Sequence, residues 1–246
     1  TFFEFSNKHY FAFMKYYKQY PMLFLSGLFY VIGLYISNII YWFFSDISIK
    51  VTIFHVAPTY DMATFLAVLA NLSATVIFVV KIETQFFERY KEYVTALNSG
   101  NYSIIEKSRK NMDATISIQL FFIYEMQLII TIIVTCLAVL FFPRFGVGGL
   151  TLDFFLLLNV AFYCIFSMYS TIVFLYYFKD QLGSCLTTGI FLSVTILVTI
   201  LALKLGIGYY ALSPLIGALT AWIFGFVRLK YILKDINAKI FCYELQ

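Results

Sequence analysis

The sequence predicts an all-α polytopic membrane protein with about six transmembrane helices packed in one bundle. Of its 246 residues, 62% are hydrophobic and only 12% are charged, and the mean hydropathy is +0.86. A soluble domain of this size needs a far more charged surface, so lipid rather than water must cover most of the chain. The apolar residues also fall into separate long runs, flanked unevenly by basic residues. We expect residues 1–246 to form a single transmembrane bundle.

Six apolar runs are long enough to cross the hydrocarbon core of a bilayer, which is about 30 Å thick and takes about 20 helical residues. The six predicted spans are residues 22–44, 62–80, 114–142, 154–178, 185–203 and 211–227. Turn-forming residues separate them: Pro21 precedes the first span, and Pro143 and Gly146 follow the third. Because short loops join the last four spans, we expect these helices to be antiparallel neighbours.

Lysine and arginine residues are divided unevenly between alternate loops. If the N-terminus is cytoplasmic, all but three of the 17 basic residues lie on the cytoplasmic side, and only Lys50, Arg144 and Lys204 lie outside. Such a bias in short loops is the strongest orientation signal in a membrane-protein sequence. With an even number of spans, the tail at residues 228–246 is also cytoplasmic. We therefore expect a multi-pass protein of a bacterial cytoplasmic (inner) membrane with both termini inside.

Residues 82–111 form the longest polar connection, between the second and third spans. Apolar residues recur along it at helical spacing, at Ile82, Phe86, Tyr90, Tyr93 and Leu97. This spacing predicts an amphipathic helix on the cytoplasmic membrane surface, with Phe86 and Tyr90 at the lipid headgroups. A solvated charged loop is the alternative.

The same connection carries two further signals. Ser103 and Glu106 have the spacing of a capping box, which predicts the start of another helix leading into the third span. Arg89 and Lys91 lie on the polar side of the predicted surface helix. We regard these two residues as candidates for docking a cytosolic partner.

Ionisable residues are almost absent from the predicted spans, and Glu125 stands out because it lies near the middle of the third. A lipid-facing charge at mid-bilayer costs roughly 2.5–3.5 kcal/mol on insertion scales, so we expect Glu125 to point into the bundle or to stay protonated. Four amides add polar groups to the spans: Gln119, Gln127, Asn71 and Asn159. These five side chains are candidates for lining a substrate or ion path. The alternative is interhelical hydrogen bonding, which we prefer for Gln127, Asn71 and Asn159.

Other polar residues point to structural roles. Asp61 and Asp153 lie at the outer ends of the second and fourth spans, where we expect them to stabilise helix N-termini. No catalytic motif or metal-ligand spacing occurs, and the four cysteines suggest neither a disulfide framework nor a metal site. We therefore expect no enzymatic activity, no cofactor and no bound metal. The dispersed basic residues suit anionic lipid headgroups better than nucleic acid.

Three parts of the sequence are distinctive when taken together. They are residues 27–30 (GLFY) running on to 41–43 (YWF), residues 58–66 (PTYDMATFL) and residues 81–90 (KIETQFFERY). In this order and spacing they resemble the C-terminal half of the PelG family, the Pel exopolysaccharide transporters. The third part is the most specific, and after Asn111 the resemblance rests on the pattern of spans.

The resemblance implies kinship with the multidrug, oligosaccharidyl-lipid and polysaccharide exporter superfamily, whose members place two six-helix bundles around a central cavity and work by alternating access. It implies export of an exopolysaccharide across the cytoplasmic membrane. The implied partners are the upstream half of the same transporter, the membrane subunits of the Pel synthase and a cytosolic glycosyltransferase. One departure is Ser37-Asn38, which stands where the family often has a charged pair. Any role of that pair therefore does not transfer to this chain.

A second function remains open, namely a membrane scaffold that docks a polysaccharide synthase without transporting anything. The two functions predict different bundle interiors. A transporter half needs a wide polar or aromatic groove on one face, whereas a scaffold is packed throughout.

Overall fold

A computed structural model describes residues 17, 19–81, 86–99 and 101–234. These residues form seven long or medium helices and one short hairpin. The helices are α1 (Pro21–Phe44), α2 (Pro58–Lys81), α3 (Phe87–Ser99), α4 (Tyr102–Phe141), α5 (Leu150–Tyr177), α6 (Gln181–Leu205) and α7 (Leu212–Lys234), and the strands are β1 (Ile49–Val51) and β2 (Phe54–Val56). Short 3₁₀ turns at Phe142–Phe145 and Ile207–Tyr209 precede α5 and α7. The predicted all-α polytopic bundle is confirmed.

Five helices of the described chain are long and apolar enough to cross a membrane, namely α1, α4, α5, α6 and α7. Their ends match the predicted spans to within a few residues, except at the start of α4 and the end of α7. The second predicted span, residues 62–80, falls within α2, which is one continuous helix of 24 residues. That α2 also crosses the membrane stays a prediction.

Helix α4 is much longer than the span predicted for it. It is continuous over 40 residues, or about 60 Å, and begins after Asn101. The predicted capping box is wrong, because Ser103 lies inside the first turn and the Glu106 carboxylate pairs with Arg109 at 2.7 Å. Since the hydrocarbon core is about 30 Å thick, the N-terminal part of α4 projects beyond it.

Glycines let neighbouring helices approach closely at two places in the bundle. Along the bundle α1 packs on α6, α6 on α7, and both α7 and α2 on α5. Gly33 of α1 lies against the ring of Phe191 of α6, which would be 2.6 Å from a Cβ at that position. Gly217 of α7 similarly lies against Thr195 of α6, with no room for a side chain. Small residues let membrane helices approach closely when no hydrophobic effect drives them together.

Helix α3 is the predicted amphipathic helix, but its apolar side packs on protein. Phe86, just before α3, is fully buried, with ring centroids 5.0 Å from Phe174 and 4.9 Å from Tyr177 of α5. Tyr93 is also fully buried, and burial raises the pKa of its phenol to about 12. The expected headgroup contact of Phe86 is therefore wrong, because α3 folds onto the ends of α4 and α5. Ile82 lies outside the described residues.

The hairpin between α1 and α2 was not predicted. Its strands pair Ile49 with Val56 and Val51 with Phe54, and the two-residue turn places Thr52 at a φ of 57°. The residues are mostly exposed, so no buried alternation marks the strands in the sequence. The hairpin lies at the end of the bundle that the charge bias places outside.

Candidate functional site

Helices α1 and α2 make few direct contacts, and a groove opens between them over the surface of α5. It consists of two adjoining cavities of about 280 and 470 Å³, which share Tyr35 and Val68. The inner cavity is lined by Tyr30, Asn71, Phe162, Phe166 and Tyr169, among others, and the outer one by Asn38, Trp42, Asp61, Thr64 and Phe65. The groove is thus aromatic along its length and carries polar groups at several levels.

Helical periodicity accounts for both walls. On α1, the residues at 30, 34, 38 and 42 recur every four positions and form one stripe facing the groove. On α2, the residues at 61, 64, 65, 68, 71 and 72 follow the same three- and four-residue spacing. Side chains at these spacings lie above one another on one helix face. The stripe on α1 is the signal that could have identified Tyr30 and Trp42 from the sequence.

The carboxylate of Asp61 joins the two walls at the outer end of the groove. Its Oδ1 accepts hydrogen bonds from Asn38 Nδ2 at 2.7 Å and Trp42 Nε1 at 3.0 Å. Its Oδ2 accepts one from the backbone N–H of Ala57 at 3.2 Å, in keeping with the role expected at the α2 N-terminus. Within the described chain no basic side chain pairs with Asp61. Its charge is stabilised by N–H donors and by the helix end.

Asp153 lies exposed in the first turn of α5, where a negative charge also favours the helix N-terminus. It makes no comparable link between helices. The two aspartates that the sequence grouped together therefore differ, and only Asp61 borders the groove.

Three of the predicted path residues form a buried amide chain. Gln127 Nε2 donates to Asn71 Oδ1 at 2.5 Å, and Asn71 Nδ2 donates to Asn159 Oδ1 at 3.0 Å. Asn159 Nδ2 donates to Thr135 Oγ1 at 2.9 Å and to the carbonyl of Thr131 at 3.2 Å. These bonds join α2, α4 and α5, which is the interhelical arrangement that we preferred for these amides. Asn71 also borders the inner cavity, so a role in the path stays a prediction.

Gln119 lies apart from this chain. It is buried in α4, only 4% exposed, but two turns or roughly 12 Å along the helix from Gln127. It is not among the residues that line the groove. Its proposed contact with a substrate or ion therefore has no geometric support.

Glu125 was expected to point into the bundle, and this is wrong. Its side chain is exposed on the outer surface of α4. Tyr124 and Gln127 reach α5 and α2, and helical periodicity places Glu125 roughly 160° around the axis from Gln127. The sequence indicates how deep Glu125 lies but not its direction, because Phe121 and Leu128 on the outer face are as apolar as the inner residues.

The two candidate docking residues lie on the cytoplasmic side by the predicted orientation. Arg89 and Lys91 are both exposed on α3, and Arg89 pairs with Glu92 at 2.8 Å. Between α3 and α4 lies a surface cavity of about 600 Å³, which Lys91 and Glu92 help to line. The polar side of α3 is thus available to a partner, and docking at these two residues stays a prediction.

Comparison with known proteins gives one match. A family model described as "PelG: Putative exopolysaccharide Exporter (EPS-E)" matches residues 1–241, and so includes both walls of the groove and every described helix. No curated protein and no solved structure matches the chain.

Proposed function

The chain belongs to the PelG family of exopolysaccharide exporters, and from this premise we propose that the α1–α2 groove is one wall of the polysaccharide path across the membrane. The observation that supports this most is the lining of the groove. Aromatic side chains are the commonest lining residues, aliphatic residues such as Leu34 and Val68 lie among them, and Asp61, Thr64 and two asparagines supply polar groups.

The lining suits a sugar polymer chemically. A sugar ring has hydroxyl groups at its rim and C–H groups on its faces. The Asp61 carboxylate can accept hydrogen bonds from hydroxyls, whereas Asn38 and Asn71 are buried and already bonded to other helices. The rings of Tyr35 and Trp42 offer flat apolar surfaces with polar tips. Asp61 and Asn71 are ten residues apart on α2, or roughly 15 Å, which is enough for several sugar units.

The groove can form only one wall of a polymer path, because it is open on the side away from α5. A hydrated polymer needs a path enclosed on two sides, and alternating access needs two bodies that move against each other. In our proposal a second bundle, the upstream half of the same transporter, supplies the opposite wall. The assembly lies in the cytoplasmic membrane with the α3 side facing the cytoplasm.

The amide chain and the Asp61 bonds have supporting roles. The first holds α2 against α4 and α5, and the second holds the outer end of α2 against α1. The Asp61 bonds hold the two walls together, and the amide chain fixes α2 on the rest of the bundle, which moves as one body. In this proposal the chain makes and breaks no covalent bonds, and it relies on a synthase for the polymer.

Partner docking belongs to the polar side of α3. We propose that Arg89 and Lys91 contact the cytosolic glycosyltransferase or the membrane subunits of the synthase, so that the nascent polymer is delivered to the groove. A scaffold without transport is the alternative. The open groove argues against it, since a scaffold has no use for an aromatic channel wall.

Selective blocking of the groove tests the proposal. Val68 borders both cavities, whereas its neighbour Leu69 is 47% exposed and borders neither. We expect Val68→Cys to export polymer normally until a bulky thiol reagent is attached, and then to lose export. Leu69→Cys, labelled to the same extent, keeps it. Undiminished export by fully labelled Val68→Cys would contradict the proposal.

A further inference from the structure

The outer surface of α4 carries a charge that nothing in the described chain balances. Glu125 is exposed, and it makes no hydrogen bond or ion pair within the described residues. Its neighbour Tyr124 packs edge-on against Trp222, with ring centroids 5.1 Å apart, and Trp222 lies at the middle of α7. Glu125 is therefore near the middle of the membrane.

The residues around Glu125 form a continuous stripe. Phe121, Leu128, Ile129 and Ile132 are exposed by 62%, 44%, 45% and 53%, and they follow the three- and four-residue spacing of one helix face. We call Phe121, Glu125, Leu128, Ile129 and Ile132 the α4 stripe. Large apolar side chains at this spacing form a helix face on which a second helix can pack. Only Glu125 interrupts the apolar surface.

Lipid is an unfavourable cover for this stripe. A carboxylate at mid-bilayer costs several kcal/mol, and side chains of this kind in spans nearly always meet a partner. Lys230 of α7 donates to Ser117 of α4, and Ser117 lies two turns, or roughly 12 Å, along α4 from Glu125. A rearrangement of a few ångströms within the chain therefore does not bring Lys230 and Glu125 together.

Two other candidates for covering the stripe, the upstream bundle and a second copy of this chain, fit it poorly. The upstream bundle is proposed to face the groove, whereas Glu125 points away from α2 and α5. A second copy of this chain related by a twofold axis would bring one Glu125 towards another. Among the described spans, Lys204 and Lys234 lie in the last turns of α6 and α7. Arg228 pairs with Asp180 and Lys230 donates to Ser117, so a copy offers no unpaired cation at this depth within the described residues.

We infer that the α4 stripe docks a transmembrane helix of another membrane protein, and that this helix presents a lysine or arginine to Glu125. The apolar residues of the stripe supply the packing surface. The ion pair sets the depth and the choice of partner, because a helix without a cation leaves the carboxylate unpaired. This site is separate from the groove, and the choice of a partner other than the upstream bundle rests on the proposed function of the groove.

A model helix tests the inference directly. The chain is reconstituted in phosphatidylethanolamine–phosphatidylglycerol vesicles with labelled leucine–alanine peptides of about 20 residues, which carry either lysine or leucine at the centre. Association is measured by fluorescence energy transfer. We expect the lysine peptide to bind about tenfold more tightly than the leucine peptide. Glu125→Leu should abolish the difference.

A second variant separates the stripe from a general charge effect. Leu197 is 61% exposed on α6, so Leu197→Glu in the Glu125→Leu background moves the carboxylate to another apolar face. We expect no recovery of the preference for lysine. Equal binding of both peptides to the native chain would mean that lipid covers the stripe and would overturn the inference. Recovery by Leu197→Glu would overturn it equally, because any exposed carboxylate would then suffice.

Discussion

Asn71 of α2 donates a hydrogen bond to Asn159 of α5 at 3.0 Å, at the level of the inner cavity of the groove. The same Asn71 accepts from Gln127 of α4, so one side chain links three helices. A buried polar chain of this kind is costly to interrupt, because each broken bond leaves a group without a partner in a dry environment.

Asn71→Ala is expected to destabilise the bundle by about 1–3 kcal/mol, since it removes the partners of Gln127 Nε2 and Asn159 Oδ1. The free energy of unfolding in mixed detergent micelles measures the loss. Thr220→Ala is the matched control, because the Thr220 hydroxyl bonds only to carbonyls of its own helix and is exposed. Equal losses for the two variants would contradict the bracing role.

Trp42→Phe is expected to weaken the outer end of the groove. It removes the indole N–H that donates to the Asp61 carboxylate at 2.9–3.0 Å, and hydrogen bonds to charged groups contribute about 1.5–3 kcal/mol. Tyr35→Phe, which changes a groove phenol without touching Asp61, is the comparison. If both variants unfold at the same concentration of denaturing detergent as the native protein, Asp61 is not held by Trp42.

Gly217→Ala is expected to destabilise the α6–α7 contact by about 1–3 kcal/mol through overpacking against Thr195 and the Phe191 carbonyl. Gly27 of α1 has open space at its Cβ position, so Gly27→Ala is neutral or stabilising. Thermal unfolding of the two purified variants compares them. A Gly217→Ala protein as stable as Gly27→Ala would mean that the two helices are farther apart than described.

Charge reversal of Arg89 and Lys91 together is expected to reduce recruitment of the cytosolic glycosyltransferase to the membrane about tenfold, while insertion of the chain is unchanged. Both residues are exposed and neither contributes to the core. Membrane fractionation of the glycosyltransferase measures recruitment. Reversal of Lys107, an exposed basic residue at the start of α4, is the control, and equal loss there would indicate a general charge effect.

The predicted orientation can be tested with two introduced cysteines. Lys50→Cys in the hairpin should react with an impermeant thiol reagent from outside the cytoplasmic membrane, and Thr95→Cys on α3 only after the membrane is opened. Both positions are exposed, so accessibility within the protein does not differ. The reverse labelling pattern would invert the topology.

The spans could be predicted because their hydrophobicity is required by lipid, whatever the helices pack against. The directions of side chains could not. In a soluble helix the apolar face marks the core, but here Phe121 and Ile123 are both apolar while one is exposed and the other buried. For the same reason, the sequence could not place Glu125 on the outside of α4 or Phe86 inside the protein.

The groove was foreseen only as a general requirement of a transporter half. Its location depends on the separation of α1 from α2, which follows from contacts distant in sequence, such as Gly33 with Phe191. The amide chain was better anticipated, because buried amides in spans need partners. Asp61 was assigned only a capping role, since its bonds to Asn38 and Trp42 cross between helices.

Polymer must touch the groove during export if the groove is part of its path, and crosslinking during synthesis tests this contact most directly. A photoreactive phenylalanine analogue replaces Phe65, which is 57% exposed and lines the outer cavity, or Leu69, which lines neither cavity. In exporting cells we predict a polysaccharide adduct at position 65 and none at position 69. Absence of an adduct at 65, or equal adducts at both positions while export proceeds, would contradict the account.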